Sequence, residues 1–211
     1  MKIENFKSHS IVRSSPKPKG DYRDYLDDLK SDFSGRCAYC NLSYTSITTP
    51  FEVDHFIPQK AFKNERPELL TKYSNLMLSC KKCNIAKSAQ FSGDLTLPDP
   101  TNDLFYDPTI VDYNTIFYRN EMGAIDSDDE KGKEIIISLK LYRPIHILGW
   151  ICEKLDACAD KLQNKLDNES DPTVKPVLEK ALARLNSQYR KYNRLFMTAY
   201  NDKYFSFVEP I

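Results

Sequence analysis

The hydrophobic pattern is clearest in the last 80 or so residues, where apolar side chains recur at helical spacing. A first stripe has intervals of four, four, three and four residues and consists of Ile147, Ile151, Leu155, Cys158 and Leu162. After a polar break at 168–172, a second stripe alternates intervals of four and three and consists of Leu178, Leu182, Leu185, Tyr189, Tyr192, Phe196 and Ala199. Each stripe is typical of an amphipathic helix. Two such helices joined by a short break predict an antiparallel helical hairpin.

The rest of the chain divides into three segments. Residues 1–34 read as a polar, irregular arm followed by a short helix over Asp21–Ser34 that ends near Gly35. Residues 35–92 hold every motif discussed below. Residues 93–127 connect this segment to the helical region of residues 128–211. The connection contains a predicted β-hairpin over Asn114–Ile125, with its turn near Gly123.

Composition sets only broad limits. The 211 residues are 41% hydrophobic and 28% charged, which is ordinary for a globular protein with an apolar core. Lysine plus arginine equals aspartate plus glutamate, 30 against 30, so net charge points to no partner. The stretch 60–87 is locally basic, with seven basic residues against two acidic ones, and is compatible with phosphate binding. Without an apolar N-terminal run or a membrane-length segment, and with six cysteines, we expect a cytoplasmic protein with no membrane partner.

Four cysteines form two CxxC knuckles, Cys37 with Cys40 and Cys80 with Cys83. Two knuckles supply the four sulfurs of a tetrahedral zinc site, although the 39 residues between them exceed the usual zinc-ribbon spacing. A site closed by four sulfurs has no open position for water, so the predicted zinc is structural. The alternatives are disulfides or four unrelated buried thiols. Cys152 and Cys158 lack such spacing and are predicted to be core residues.

Between and just after the knuckles lie the groups needed for phosphodiester hydrolysis. That reaction needs an activated water, a counter-charge for the transition state and help for the leaving oxygen. His55 can accept a proton near neutral pH. Asp54 and Asn84 offer the oxygen ligands that Mg²⁺ prefers. Lys87 follows Asn84 by three residues, so on a helix both share one face.

The pair formed by Asp54 and His55 raises a geometric condition. Neighbours on a regular strand point to opposite faces. We therefore expect the strand to end or twist at Asp54 if both side chains serve one site. Pro58, just downstream, favours a strand end.

The order of these motifs resembles that of the HNH, or ββα-metal, endonucleases. The family pattern is a CxxC, an Asp-His followed by two apolar residues and Pro, an Asn nine residues before the third catalytic position, and a second CxxC. The matching positions here are Cys37–Cys40, Asp54–Pro58, Asn75, Cys80–Cys83 and Asn84. The third position is Asn rather than His, as in the HNH domain of the CRISPR effector nuclease.

The resemblance covers residues 35–92 and implies an α+β fold: a small ββα-metal core with a four-cysteine zinc site, followed by a largely helical C-terminal region. It also implies roles for the site residues. His55 is the expected general base, and Asp54 and Asn84 are the expected ligands of a catalytic Mg²⁺ or Mn²⁺. Asn75 is expected to brace the loop that orients His55. Lys87 is an expected phosphate contact, and Glu52 is at most an outer neighbour of the metal.

A looser resemblance concerns the whole layout. The opening Arg36–Cys40, the length and the helical tail are similar to the HNH proteins of retron and Septu-type bacterial antiphage systems. In those systems the nuclease works beside an ATPase. This resemblance implies a defence role and an ATPase partner that docks on the C-terminal helices.

Three functional hypotheses remain open at this point. The first is a metal-dependent endonuclease that cuts DNA. The second is a non-catalytic, zinc-braced module that binds nucleic acid or protein. The third is an effector subunit that is silent without its partner. Four basic residues off the second apolar stripe fit DNA, an acidic partner or simply a solvated face: Arg184, Arg190, Lys191 and Arg194.

Overall fold

The computed structural model of the protein describes residues 2–7, 9–47 and 49–201. The chain divides into two compact units, Met1–Tyr142 and Arg143–Ile211, and each is described separately. Helices and short strands are both present, so the predicted α+β class is confirmed.

The first unit contains two small antiparallel sheets. Its strands are β1 (Lys2–Asn5), β2 (Glu52–His55), β3 (Leu76–Ser79), β4 (Tyr118–Asn120) and β5 (Ile125–Asp126). Its helices are α1 (Leu26–Asp32), α2 (Gln59–Phe62), α3 (Lys81–Lys87), α4 (Tyr113–Ile116) and α5 (Glu130–Ser138). One sheet has the order β1-β4-β5, and the other pairs β2 with β3. Four short 3-10 turns complete the unit, at Tyr22–Tyr25, Tyr44–Ser46, Pro67–Leu70 and Tyr73–Asn75.

The β2–β3 pair is the centre of the motif segment. Asp54 lies opposite Met77 and His55 lies opposite Leu76, in a continuous antiparallel register. All four residues of β3 are buried, since α1 and the 3-10 turn at Tyr22–Tyr25 lie against this pair and α3 lies against β2. A strand covered in this way reads as an apolar run without alternation, and Leu76, Met77 and Leu78 form that run.

Two of the predicted elements differ in detail. The first three residues of the predicted hairpin at Asn114–Ile125 are helical, because the Asp112 side chain accepts a hydrogen bond from the Asn114 amide and caps α4. The strand pair itself begins only at Tyr118, and its turn includes Gly123 as predicted. The predicted helix at Asp21–Ser34 starts as a 3-10 turn and ends at Asp32, followed by positive φ angles at Ser34 and Gly35.

The second unit contains two long helices, α6 (Pro144–Asp167) and α7 (Lys175–Asn201), which contact each other extensively. The predicted helical region from residue 128 also includes α5, which belongs to the first unit. Cys152 is buried, as predicted, but the prediction for Cys158 is wrong because its side chain is exposed. The buried residues of α6 all lie between Ile145 and Cys152. After Cys152, the apolar positions of α6 are half-buried or exposed, because two packed helices cover only one side of each other.

No helix in residues 2–7, 9–47 and 49–201 combines the length and apolar character that a membrane crossing requires.

Candidate functional site

The two CxxC knuckles meet in one buried cluster. The four sulfur atoms of Cys37, Cys40, Cys80 and Cys83 all lie within 4.8 Å of one another. The Cys40 and Cys80 sulfurs are 3.7 Å apart. Tetrahedral zinc with zinc–sulfur bonds of about 2.3 Å needs sulfur separations of about 3.8 Å. The cluster therefore fits the predicted structural zinc in donor type and in spacing.

Lys7 lies beside this cluster, although no motif in the sequence marks it. Its ammonium group donates a 2.8 Å hydrogen bond to the Ala38 carbonyl, inside the first knuckle. Burial lowers the pKa of Lys7 to about 8, while the charges of Cys37 and Cys40 counteract part of this shift. A cation at this place offsets the negative charge that four thiolates around one Zn²⁺ leave uncompensated.

Asp54 points toward α3 and is buried. The Tyr39 hydroxyl donates a 2.5 Å hydrogen bond to its Oδ2 atom, and the Lys87 ammonium group lies 3.2 Å from both carboxylate oxygens. Burial raises the pKa of Asp54, and the contacts with Lys87 and Tyr39 offset part of that shift. Tyr39 belongs to the first cysteine knuckle, so a direct hydrogen bond connects the cysteine cluster with Asp54.

Glu52 and Asn84 extend the same face. Glu52 lies two residues before Asp54 on β2, so both side chains point to one side of the strand. The Asn84 amide nitrogen donates a 2.6 Å hydrogen bond to Glu52. Lys87 follows one helical turn after Asn84 and is fully buried. We call Glu52, Asp54, Asn84 and Lys87 the acidic cluster.

His55 lies on the other side of β2. Its Nε2 atom is 2.9 Å from the Leu70 carbonyl oxygen, and its Nδ1 atom is 3.2 Å from the side-chain amide of Gln59. The Tyr22 ring meets the imidazole edge-on at 4.6 Å, and the Phe62 ring lies 5.7 Å away. We call this environment the histidine pocket.

The contacts of His55 define its protonation. A carbonyl oxygen only accepts hydrogen bonds, so Nε2 carries the proton and Nδ1 carries the lone pair of the neutral ring. Burial lowers the pKa of His55, although the Leu70 carbonyl and the Asp54 charge act in the opposite direction. The ring is therefore neutral near pH 7, with Nδ1 as its basic nitrogen.

Asn75 connects the two segments that surround His55. Its side-chain oxygen accepts a hydrogen bond from the Ile57 amide at 2.8 Å. Its side-chain nitrogen donates to the carbonyls of Ile57 and Leu69, at 3.3 and 3.2 Å. Leu69 immediately precedes the Leu70 carbonyl that contacts His55. The amide of Asn75 thus ties the end of β2 to the loop beside the imidazole.

Replacement of Asn75 by alanine should destabilise the first unit. The change leaves buried backbone groups of Ile57 and Leu69 without partners, and each such group costs about 1–3 kcal/mol. We expect a loss of about 2–4 kcal/mol in the free energy of unfolding, measured by urea denaturation. Asn64→Ala, at an exposed position, is the matched control and should change it by less than about 0.5 kcal/mol. Equal stabilities of the two variants would refute this structural role.

The expected strand end at Asp54 is not present. β2 stays paired with β3 through His55, so Asp54 and His55 leave the strand on opposite sides. One more hydrogen bond follows the paired residues: the Phe56 amide donates to the carbonyl of Asn75, the residue just before β3, at 2.8 Å. Among the described residues, no hydrogen bond or ion pair joins His55 to the side chain of Asp54 or Asn84. The predicted site residues thus form two adjacent groups, linked by the Lys87 ammonium group, which donates to the His55 carbonyl at 2.6 Å.

The donor types of the acidic cluster fit a hard divalent cation. Glu52 and Asp54 offer carboxylate oxygens, and Asn84 retains its amide oxygen. A carboxylate has about four lone-pair positions, so the contacts with Tyr39 and Lys87 leave Asp54 with acceptor capacity. A cation held by Asp54 shares this carboxylate with Lys87.

The basic stretch 60–87 is less open than its composition suggests. Arg66 forms a 2.5 Å ion pair with Glu68, and Lys72 forms a 2.9 Å ion pair with Asp99. Lys87 is buried against Asp54. Exposed cations in this stretch include Lys60, Lys63 and Lys81. The stretch therefore presents separate exposed cations rather than a continuous basic face.

Sequence reasoning missed three neighbours of the site. Tyr39 lies inside a CxxC knuckle, and its position between the two cysteines was the only sequence signal that it belongs to the site. Gln59 follows His55 by four residues and begins α2, so local spacing offered a weak signal. Tyr22 is remote in sequence and reaches His55 only through the packing of the 3-10 turn against β2.

Comparison with known proteins places these residues in a family context. Residues 37–90 match the family model described as HNH endonuclease. The chain is 31% identical over 93 residues to the Septu protein PtuB of Bacillus mycoides (strain KBAB4), covering 39% of this chain and 31% of that protein. It is also 31% identical over 70 residues to the Septu protein PtuB of Bacillus thuringiensis, covering 33% of this chain and 26% of that protein.

The chain thus aligns with about a third or less of the length of these curated relatives. No solved structure matches it. The match over residues 37–90 contains both knuckles, Asp54, His55, Asn75 and Asn84. The predicted resemblance to HNH endonucleases is therefore confirmed across residues 37–90, and the chain is similar to Septu proteins as well.

Proposed function

We propose that this chain is a divalent-metal-dependent HNH endonuclease that hydrolyses phosphodiester bonds of DNA. The observation that carries the proposal is the environment of His55: a neutral imidazole, fixed at one nitrogen by the Leu70 carbonyl and basic at the other, on the residue that follows Asp54. The family match over residues 37–90 supports a nuclease role independently.

In this proposal His55 is the general base. Nδ1 accepts a proton from the attacking water, and Nε2 keeps its hydrogen bond to Leu70, which stabilises the resulting imidazolium. The side-chain amide of Gln59 contacts Nδ1, and the Gln59 side chain is exposed. Rotation of that side chain opens the basic nitrogen to water without any change in the backbone.

Asp54 and Asn84 would hold the catalytic cation, with Glu52 within reach as a further carboxylate. A bound Mg²⁺ or Mn²⁺ supplies positive charge that stabilises the phosphate transition state and the leaving oxygen. Asp54 is preset for this role because Tyr39 fixes its Oδ2 atom. Lys87 shares the carboxylate and is the proposed phosphate contact, since displacement from Asp54 would free its ammonium group to meet a phosphate oxygen.

We also propose a role in bacterial antiphage defence beside an ATPase. This proposal rests on the similarity to Septu proteins and on the layout of a motif segment followed by a helical hairpin. The hairpin of α6 and α7 is the proposed docking element for the ATPase. A cytoplasmic location accords with this role and stays a prediction.

One observation favours a second function, a non-catalytic, zinc-braced binding module. Lys87 neutralises Asp54 inside the acidic cluster, and an ion pair of this kind is also what a purely structural site contains. The neutral, oriented His55 has no use in such a module, which is why the nuclease is preferred.

The proposed function predicts that the purified, zinc-loaded protein cuts DNA only when Mg²⁺ or Mn²⁺ is added. Among the described residues around Asp54 there are two carboxylates and one cation, Lys87. These groups alone cannot neutralise the negative charge of a bound phosphate, so an added cation is needed. Cleavage of labelled DNA should be followed with each metal and in buffer without added divalent metal, in the presence and absence of a partner ATPase. Metal-independent DNA binding with no product under any of these conditions would support the binding module instead.

A further inference from the structure

The outer face of α7 carries a line of exposed cations. Lys180, Arg184, Lys191 and Arg194 follow one another at intervals of four, seven and three residues, with the exposed Ser187 between them. At 100° per residue these positions lie within about 40° of one line along the helix. They lie opposite the apolar seam that contains Leu178 and Phe196, which are buried. We call these four cations the basic stripe.

The charge on α7 is segregated rather than mixed. From Lys175 to Asn201 there are six basic residues and a single acidic one, Glu179. The partner helix α6 mixes four acidic residues with three lysines. Because the whole chain has 30 basic and 30 acidic residues, such an excess on one helix is a local feature. The stripe therefore presents a positive field that neighbouring acids do not cancel.

Two lysines elsewhere in this protein form ion pairs along their helices. Lys30 lies 3.0 Å from Asp27, and Lys133 lies 2.6 Å from Glu130, each pair three residues apart. Within the described parts of the chain, no ion pair involves a member of the basic stripe. Where they form, such pairs add a few tenths of a kcal/mol each. An anion that binds the stripe therefore does not have to displace an acidic side chain from it.

The dimensions of the stripe fit a polyanion better than a single phosphate. Lys180 and Arg194 are fourteen residues apart, which corresponds to about 21 Å of helix. Along one DNA strand, phosphates follow at about 3.4 Å of helix axis, so this length spans about six of them. We propose that the basic stripe binds the phosphate backbone of double-stranded DNA and holds the substrate at a second contact besides the HNH site. The choice of DNA as the polyanion rests on the proposed function.

The test measures binding separately from cleavage. Full-length protein in the His55→Ala background is titrated onto a short labelled DNA duplex, followed by fluorescence anisotropy at several salt concentrations without added Mg²⁺. The stripe variant combines Arg184→Gln, Lys191→Gln and Arg194→Gln, because glutamine keeps the helix propensity. Each lost phosphate contact lowers the slope of log K against log salt by about 0.9. We expect a slope smaller by about 2.7 and an affinity lower on the order of 100-fold near 0.1 M salt.

A matched control removes the same net charge elsewhere. Lys161→Gln, Lys165→Gln and Lys175→Gln are exposed and lie off the stripe, and together they should lower the slope by less than about 1. Circular dichroism establishes that both triple variants keep their helices. If a triple variant loses helix, the three single stripe variants are measured instead, each with an expected slope change of about 0.9.

Equal losses in the two triple variants, or no loss in the stripe variant, would overturn the proposal and leave an acidic protein surface as the partner. The outcome is independent of the nuclease assay. A protein that cuts DNA but binds it equally well without the stripe refutes only the stripe. A protein that loses binding with the stripe but never cuts refutes only the nuclease.

Discussion

Cys80→Ser should release the predicted structural zinc and unfold much of the segment between the two knuckles. The cysteine cluster joins chain segments that are 39 residues apart, and Cys80 is fully buried at the start of α3. Apparent zinc-binding free energies of about 10–16 kcal/mol are coupled to folding in sites of this type. Loss of one sulfur ligand therefore removes several kcal/mol, and we expect the unfolding temperature to fall by about 10 °C or more.

The consequence extends to the acidic cluster. The Ala38 amide donates a 2.8 Å hydrogen bond to the Leu78 carbonyl on β3, and the Tyr39 hydroxyl bonds to Asp54. Both residues lie between the two cysteines of the first knuckle, so their positions depend on that knuckle. A protein without zinc should lose the orientation of Asp54 together with the stability of the β2–β3 pair.

Zinc content by elemental analysis and thermal unfolding by circular dichroism measure these effects. Cys158→Ser is the matched control, because Cys158 is exposed on α6 and should leave zinc content and unfolding temperature unchanged. A Cys80→Ser protein that retains one zinc per chain and melts with the wild type would show that the cluster holds no structural zinc.

The sequence was most informative where chemistry depends on local spacing. A CxxC knuckle is one tight turn, so both knuckles could be read directly and their meeting could be predicted from the preference of zinc for four sulfurs. The two amphipathic helices followed in the same way from apolar periodicity. The family resemblance added the role of Asn75, whose distance from Asn84 has no meaning outside a known motif.

What the sequence could not supply were contacts between remote segments. Nothing local indicates that Tyr39 reaches Asp54, or that Lys87 turns inward to a carboxylate rather than outward to solvent. Lysine is rarely buried without a partner. The partner of Lys87 is Asp54, which lies 33 residues earlier in the chain and is brought close by the packing of α3 against β2. Tyr22 covers His55 for the same reason, through tertiary packing alone.

The strand at Asp54 shows how a sound local rule can lead to a wrong expectation. Alternation along a strand suggested that Asp54 and His55 serve one site only if the strand ends between them. The strand instead stays paired through His55, where it ends, and the two side chains occupy the acidic cluster and the histidine pocket on its two sides. Contact between the two groups runs through Lys87, which bonds to Asp54 and to the His55 carbonyl.

His55→Ala should reduce the rate of DNA cleavage by about 10²–10⁴-fold, the usual contribution of a general base. The change removes the Nδ1 lone pair and leaves Asp54, Glu52 and Asn84 untouched, so cation binding should persist. The imidazole is buried and packs on the Tyr22 and Phe62 rings, so its removal should also lower stability, and circular dichroism checks that the variant stays folded under the assay conditions. His9→Ala, in the N-terminal arm, is the matched control and should cleave at the wild-type rate.

The central claim is that His55 serves as the base of a metal-dependent nuclease, and single-turnover cleavage tests it most directly. Zinc-loaded wild type, His55→Ala and His9→Ala are each mixed in excess with labelled duplex DNA and Mg²⁺ or Mn²⁺, with and without a partner ATPase. We predict cleavage by wild type and His9→Ala, and cleavage at least about 100-fold slower by His55→Ala despite unchanged DNA binding. Identical behaviour of wild type and His55→Ala under every condition would contradict the claim.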